Sequence, residues 1–593
     1  MLTIKKLLYL LSAQERKKAI LLLLMILVMA ILDTVGVASI LPFIAVLSNP
    51  ELVQSNEILS KLYQIGNFQN NQDFLFSLGI LVFIILCCSL TFKAITIFFQ
   101  LRFALLREYT IGKRLVEGYL HQPYSWFLNR NSANLGKNIL SEVGGIVSGG
   151  FMPMMTLISQ GAVALSLIIL LIFVNPILSF IVAVVLGSAY GLVYGFSRKY
   201  LVKIGEERLI ANQDRFSAVN EAFSAAKEVK LGGLENLYLN RFSEPAKVFA
   251  LNQAKARVVE QIPRFVLEAI AFGGLLLVIL YLMSKSGSFT TTLPIIALYA
   301  FAGYRLLPAL QQIYASLTQL RFAGPALRTI HDDLKNLNVI KFLSTDKKLI
   351  LKEKISLENV SYSYPNSTRT ALSNLNLNIP AKDTIGLVGA TGSGKTSTVD
   401  LILGLLEPQS GSLKVDGKVI NKNNLRLWQN SIGYVPQQIF LKDDTVAANI
   451  AFGIDAKDID QESIQRAAKI SNLHNFITEE LPNGYQTIVG ERGMRLSGGQ
   501  RQRIGIARAL YHRPQILIFD EATSALDNIT EKIIMEAVYN LGDQITIILI
   551  AHRLSTVKMC KNIYFLEKGT IRSKGNYKKL IEDDNKFRQM TGK

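Results

Sequence analysis

The chain has 593 residues, half of them hydrophobic and only 18% charged, with a net charge of +19. So many large apolar residues exclude a disordered chain. Three cysteines, Cys87, Cys88 and Cys560, exclude a disulfide framework. The basic surplus is spread over both halves rather than gathered in a tail or stripe, so no nucleic-acid partner is expected.

In chain order, six apolar blocks come first. They run at about Ala19–Leu47, Phe74–Leu101, Met152–Val174, Ile177–Phe196, Phe265–Met283 and Leu293–Leu317. Each has the roughly 20 residues needed to cross about 30 Å of hydrocarbon. Lysine and arginine mark the cytoplasmic side. Lys5, Lys6, Arg16, Lys17 and Lys18 precede the first block, and stretches 102–150 and 198–264 are rich in charge. The intervening loops are nearly bare of basic residues, so both termini are expected in the cytoplasm. The long charged stretches predict helices that continue well beyond the bilayer and fold back.

Charges inside the blocks are the candidates for handling cargo. They are Asp33, Lys93, Glu268 and Arg305, with Arg264 just before the fifth block. Lys93 and Arg264 lie near block ends and read as snorkelling. Arg305 lies deep in its block, so it is expected to pair with Glu268 or Asp33, or to line a wet cavity.

A polar stretch, 326–352, reads as a linker between a membrane domain at 1–325 and a second domain at 353–593. The second domain opens on short strands. Gly389-Ala390-Thr391-Gly392-Ser393-Gly394-Lys395-Thr396-Ser397 follows an apolar strand and precedes a helical run. This is the phosphate-cradling GxxxxGK[ST] pattern in its strand–loop–helix setting. Lys395 is placed to reach the β- and γ-phosphates, and Thr396 to hold Mg²⁺. Ile516–Phe519 is an apolar strand ending in Asp520-Glu521, one acid suited to a metal and the next to orienting water. Leu496-Ser497-Gly498-Gly499-Gln500 opens a further helix, a second anion-binding start.

Together these motifs closely resemble the ATP-binding cassette (ABC) exporters, over essentially the whole chain. The resemblance implies an all-α, six-helix transmembrane domain followed by an α/β P-loop nucleotide-binding domain. It implies that Tyr364 stacks on adenine, and that Gln437 touches Mg²⁺ and the attacking water. It likewise implies that Asp527, in Ser524-Ala525-Leu526-Asp527, lies at the dimer seam and that His552 senses the γ-phosphate. Glu491-Arg492-Gly493 resembles an exporter-specific segment. One such domain behind six spans is the half-transporter arrangement, which implies a homodimer with ATP closed over by Ser497, Gly498 and Gly499 of the other copy. The expected setting is the cell inner membrane, with the nucleotide-binding domain cytoplasmic. Within the family, Ile31-Leu32-Asp33, Leu41-Pro42-Phe43, Pro263-Arg264-Phe265-Val266-Leu267-Glu268 and Tyr304-Arg305-Leu306-Leu307-Pro308 resemble the branch of lipid-linked oligosaccharide and polysaccharide flippases. Arg305, Arg264, Glu268 and Asp33 are the candidate cargo contacts, while lipid, lipopeptide or drug export stays open. An inert nucleotide domain is disfavoured by the intact Glu521 and His552.

Overall fold

The computed structural model describes the chain apart from residues 1, 49, 51–52, 54–56, 69, 175, 287–288, 338–346, 366, 523–526, 552, 555 and 591–593. It divides into two compact units, Met1–Gln122 with Arg130–Val339, and Pro123–Asn129 with Ile340–Lys593.

The first unit is helical. A short helix α1, Leu2–Leu10, leads through Ser12 into α2, Ala13–Ala38. Ser12 and Glu15 cap α2 reciprocally, which satisfies two otherwise orphaned N–H groups at its start. Then follow α3 (Asn71–Leu120), α4 (Met152–Val174), α5 (Pro176–Ser224), α6 (Glu235–Ser286) and α7 (Phe289–Phe322). The first apolar block runs through α2 into a further short helix, Ile40–Ser48, and the other five fall on α3 to α7. Among the described residues, three helical stretches are long and apolar enough to cross a membrane, Ala13–Ser48, Asn71–Leu120 and Ser132–Val174. Helices α3, α5 and α6 are 50, 49 and 52 residues long. They outrun the bilayer, as the charged stretches predict. Beyond the apolar zone the helices are tied by polar side chains. Glu142 is fully buried and accepts from Arg208 and Asn212, each at 2.6 Å.

The start of the expected linker is not linker. Residues Gly324–Asn336 form helix α8, with Pro325 in its first turn and Ala326, Leu327 and Ile330 buried. Burying that apolar face draws the segment into the first unit, which reaches Val339.

The second unit holds two sheets. Strands β1 (Lys354–Ser363), β2 (Thr370–Pro380), β4 (Ser410–Val415) and β5 (Lys418–Val419) form an antiparallel sheet in the order β2-β1-β4-β5. The other strands are β3 (Thr384–Val388), β6 (Ile432–Val435), β7 (Ile516–Asp520), β8 (Thr546–Ile550), β9 (Asn562–Glu567) and β10 (Thr570–Gly575). They form a six-stranded sheet, β10-β9-β3-β8-β7-β6, parallel except for the β9–β10 pair. On β7, Leu517 and Phe519 enter one apolar cluster while Ile516 and Ile518 enter another. A parallel strand covered on both faces needs that unbroken apolar run. Its carboxyl end, and that of β3, carry the polar residues of interest.

Candidate functional site

Strand β3 is buried throughout and delivers the chain into the glycine loop, and helix α9, Lys395–Ile402, leaves it. Gly389 has φ 157°, and a Cβ there would meet the Leu566 carbonyl oxygen at 2.4 Å. Gly394, at φ 103°, sits in the region where only glycine is at ease. The loop therefore approaches its surroundings backbone-first. Lys395 Nζ, buried, donates to the carbonyls of Gly389 (2.7 Å) and Ala390 (3.2 Å). Burial lowers its pKa, against the opposing pull of Glu521 and Asp520. The Ser393 hydroxyl is buried without a hydrogen-bond partner. An orphaned donor in a glycine cradle at a helix start fits a phosphate group.

Two strands away, β7 ends on buried Asp520, which accepts from the Tyr434 hydroxyl at 3.3 Å. Burial, reinforced by Asp520, raises the Tyr434 pKa and keeps it a donor. Glu521 sits at φ 52°, in the left-handed region that costs a side-chain-bearing residue about 1 kcal/mol or more. Its carboxylate accepts from Gln437 Nε2 at 2.8 Å. The fold thus aims Glu521 at a fixed point, as catalytic residues often require. The structure joins Gln437 to Glu521 and Tyr434 to Asp520; sequence reasoning had no signal for Tyr434.

Asp400, on α9, was also missed. Burial, and then the charge of Asp520, pushes its pKa up to about 6. A carboxyl that titrates later folded than unfolded loses stability as pH rises from about 4 to about 6. The full shift is worth at most about 3 kcal/mol, and partial exposure trims this to about 1–2 kcal/mol. Asp400→Asn should therefore raise the melting temperature of metal-free, nucleotide-free protein at pH 8, with the gain shrinking toward pH 4. An equal gain at both pH values would remove the ionised carboxylate as its cause.

The remaining expected residues are held by their own elements. Ser497 N-caps helix α10 (Gly498–Tyr511), accepting from Gln500 N–H while Gln500 Oε1 accepts from Ser497 N–H at 2.8 Å. Asp527 N-caps α11 (Asn528–Asn540) through the N–H groups of Ile529 and Thr530. Both caps orient helix starts whose positive ends suit an anion. Tyr364 hydrogen-bonds Ser397 at 3.0 Å, with its ring edge-on to Tyr362. Thr396 is exposed beside the loop. Glu491 and Gly493 lie in one 3₁₀ turn. His552, Ser524, Ala525 and Leu526 lie outside the described residues.

In the membrane half, Asp33 is almost fully buried and carries two partners. Lys93 Nζ is 3.1 Å from one carboxylate oxygen and Arg305 Nη1 is 3.3 Å from the other. Ser89 Oγ adds a 3.5 Å contact. Lys93 is therefore not a snorkelling residue; a buried carboxylate within reach holds it inward. Arg305 pairs with Asp33 and not with Glu268. Arg264 and Glu268 instead form an exposed pair one helical turn apart, at 2.7 Å.

The comparisons agree with this architecture. The model of the ABC transporter family matches residues 372–524, and that of the ABC transporter transmembrane region matches 18–304. An ATP-dependent lipid A-core flippase of Saccharophagus degradans is 34% identical over 80% of this chain and 79% of its own length. One from Haemophilus influenzae is 30% identical over 81% of each. The solved structure of a bacterial Atm1-family ABC exporter with ATP bound superposes with a TM-score of 0.80 at 21% identity. It covers 98% of this chain and 99% of that one.

Proposed function

Because this chain belongs to the ABC transporter family, as an exporter-type half-transporter whose ATPase is coupled to transport, we propose that it flips an anionic glycolipid, most specifically a lipid-linked oligosaccharide. The observation that carries the cargo is the charge balance at Asp33. Among the described residues, one carboxylate stands against two cations, Lys93 and Arg305, both partly exposed. One positive charge is left over inside a span, where each charged residue costs about 2.5–3.5 kcal/mol on insertion scales. An anionic headgroup crossing beside it supplies the missing partner. A lipid exporter whose anionic cargo lacks sugar is the neighbouring reading, and the names of the relatives favour a lipid.

In the ATPase, the backbone of Gly389–Gly394, with Lys395, holds the phosphates, and Tyr364 supports the base. Thr396, Asp520 and Gln437 would hold Mg²⁺, which would supply positive charge to the phosphate oxygens. Glu521 accepts the proton of the attacking water, and Gln437 fixes its carboxylate. The helix start at Ser497–Gly499 closes over ATP held by a second copy of this chain, so the working unit is a homodimer. It works in the inner membrane, its ATPase unit and both termini cytoplasmic.

Arg305→Ala tests the cargo. Lys93 still neutralises Asp33 in the variant, so the protein should fold and keep its basal ATPase. A charge-assisted hydrogen bond is worth about 1.5–3 kcal/mol, so headgroup translocation in proteoliposomes should fall about 10-fold or more. Lys at this position should restore part of it, as a point charge without the guanidinium fork. Unchanged flipping by well-folded Arg305→Ala protein would overturn the reading.

A further inference from the structure

Beside the Asp33 cluster lies a cavity of about 150 Å³ among α2, α3, α4 and α7. On α3, Lys93, Ile97, Gln100, Leu101 and Ala104 line it at spacings of four, three, one and three, which places them on one helical face. Helix α4 adds Thr156, Ser159 and Gln160, and α7 adds Gln312. Three primary amides and two hydroxyls inside apolar spans are costly to keep unless something uses them. Gln100 makes the point sharply. It is 8% exposed, and its Nε2 has no hydrogen-bond partner. An unused buried donor of that kind costs about 1–3 kcal/mol.

The geometry points to a subsite for one sugar ring of the transported headgroup, a proposal that rests on the glycolipid reading above. A cavity of about 150 Å³ takes a six-membered ring the size of benzene, so a larger hexose enters ring-first with its outer hydroxyls at the cavity's open side. This cavity differs from an apolar one in its wall chemistry. Each glutamine presents a donor and an acceptor side by side, and each sugar hydroxyl is both at once. Uncharged amides therefore read vicinal hydroxyls without competing for phosphate. Met29 and Met155 offer soft apolar walls to the C–H faces of the ring. Lys93 belongs to both features, lining the cavity and reaching Asp33 at 3.1 Å. A phosphate drawn to the cations thus leaves the first sugar beside the amides. The charge cluster accepts any anionic lipid; the amide cavity selects those that carry sugar.

The test uses the full chain in proteoliposomes and reads ATPase stimulation. Two probe lipids share one polyprenyl diphosphate tail, one bare and one bearing a single hexose. The wild type should respond to the glycosylated lipid at about a 10-fold lower concentration, the worth of one or two neutral hydrogen bonds. Gln100→Leu, or the volume-matched Gln160→Met, should move the glycosylated curve onto the bare one. The bare curve and basal ATPase should stay put, and Gln100→Leu, relieved of its unpaired donor, should melt no lower than the wild type. A variant that folds and keeps the full gap overturns the subsite and leaves water as the occupant of the cavity. Equal wild-type responses to both lipids overturn the subsite alone. No wild-type response to either lipid overturns the anionic-cargo reading, and the subsite with it.

Discussion

Glu521→Gln should bind ATP normally and hydrolyse it at least about 10²-fold more slowly, the usual worth of a positioned general base. The substitution is nearly isosteric and leaves the phosphate loop untouched. It also keeps the left-handed backbone at 52°, so the strain and the aim of the side chain persist. What it removes is the proton acceptor. Lys395→Ala makes the contrasting lesion. The ammonium rests against the loop carbonyls of Gly389 and Ala390, and without it phosphate binding itself should weaken. Nucleotide binding and turnover, measured on both proteins, separate the two roles. Near-normal turnover in Glu521→Gln would take Glu521 out of the base role.

Asp33→Ala should produce the largest loss of stability in the membrane half, about 3–5 kcal/mol, because it leaves buried charge without its partner. Two cations rely on the one carboxylate, so the single loss strands both. Removing either cation alone leaves a neutral pair and should cost less. Thermal melting of the purified protein checks the order, with Asp33 variants below Lys93 and Arg305 variants. Replacing all three by apolar residues of similar volume should recover the stability, since such replacements are often neutral or better. Transport should not return with it. An Asp33→Ala protein as stable as the wild type would mean that water solvates the cations.

How much of this was legible in the sequence follows from how far apart the parts lie. The phosphate loop is written in consecutive residues, because a strand, a tight turn and a helix start must follow one another to bind phosphate at all. Asp520-Glu521 was legible for the same reason, as the polar end of a buried strand. The Asp33 cluster was legible only in part: Arg305 was expected beside Asp33 or Glu268, and Lys93 was not expected there. Its cations stand at positions 93 and 305, on different helices, and only helix packing chooses Asp33 over Glu268. Arg264 and Glu268 looked equally promising as intramembrane charges, yet their spacing lets them satisfy each other on an exposed face. The amides at 100, 160 and 312 escaped notice because hydropathy weighs them lightly within long apolar runs. A polar amide inside a span was the available signal. Helix α8 was hidden by its charged residues, and only its buried Ala326, Leu327 and Ile330 give it away.

Helix α3 runs unbroken for 50 residues, from Asn71 to Leu120. At about 1.5 Å per residue that is a rod about 75 Å long, of which the hydrocarbon takes about 30 Å. Residues 102–120, past the apolar block, make a lever arm of about 28 Å. With no proline along its length to bend it, a small tilt near the Lys93 level sweeps the Leu120 end through several ångströms. The same stiffness works in reverse. A push of ångströms at the watery end becomes a sub-ångström adjustment where the cations meet their carboxylate, with the force multiplied accordingly. A short, strong stroke is what separating paired charges in a low-dielectric medium demands.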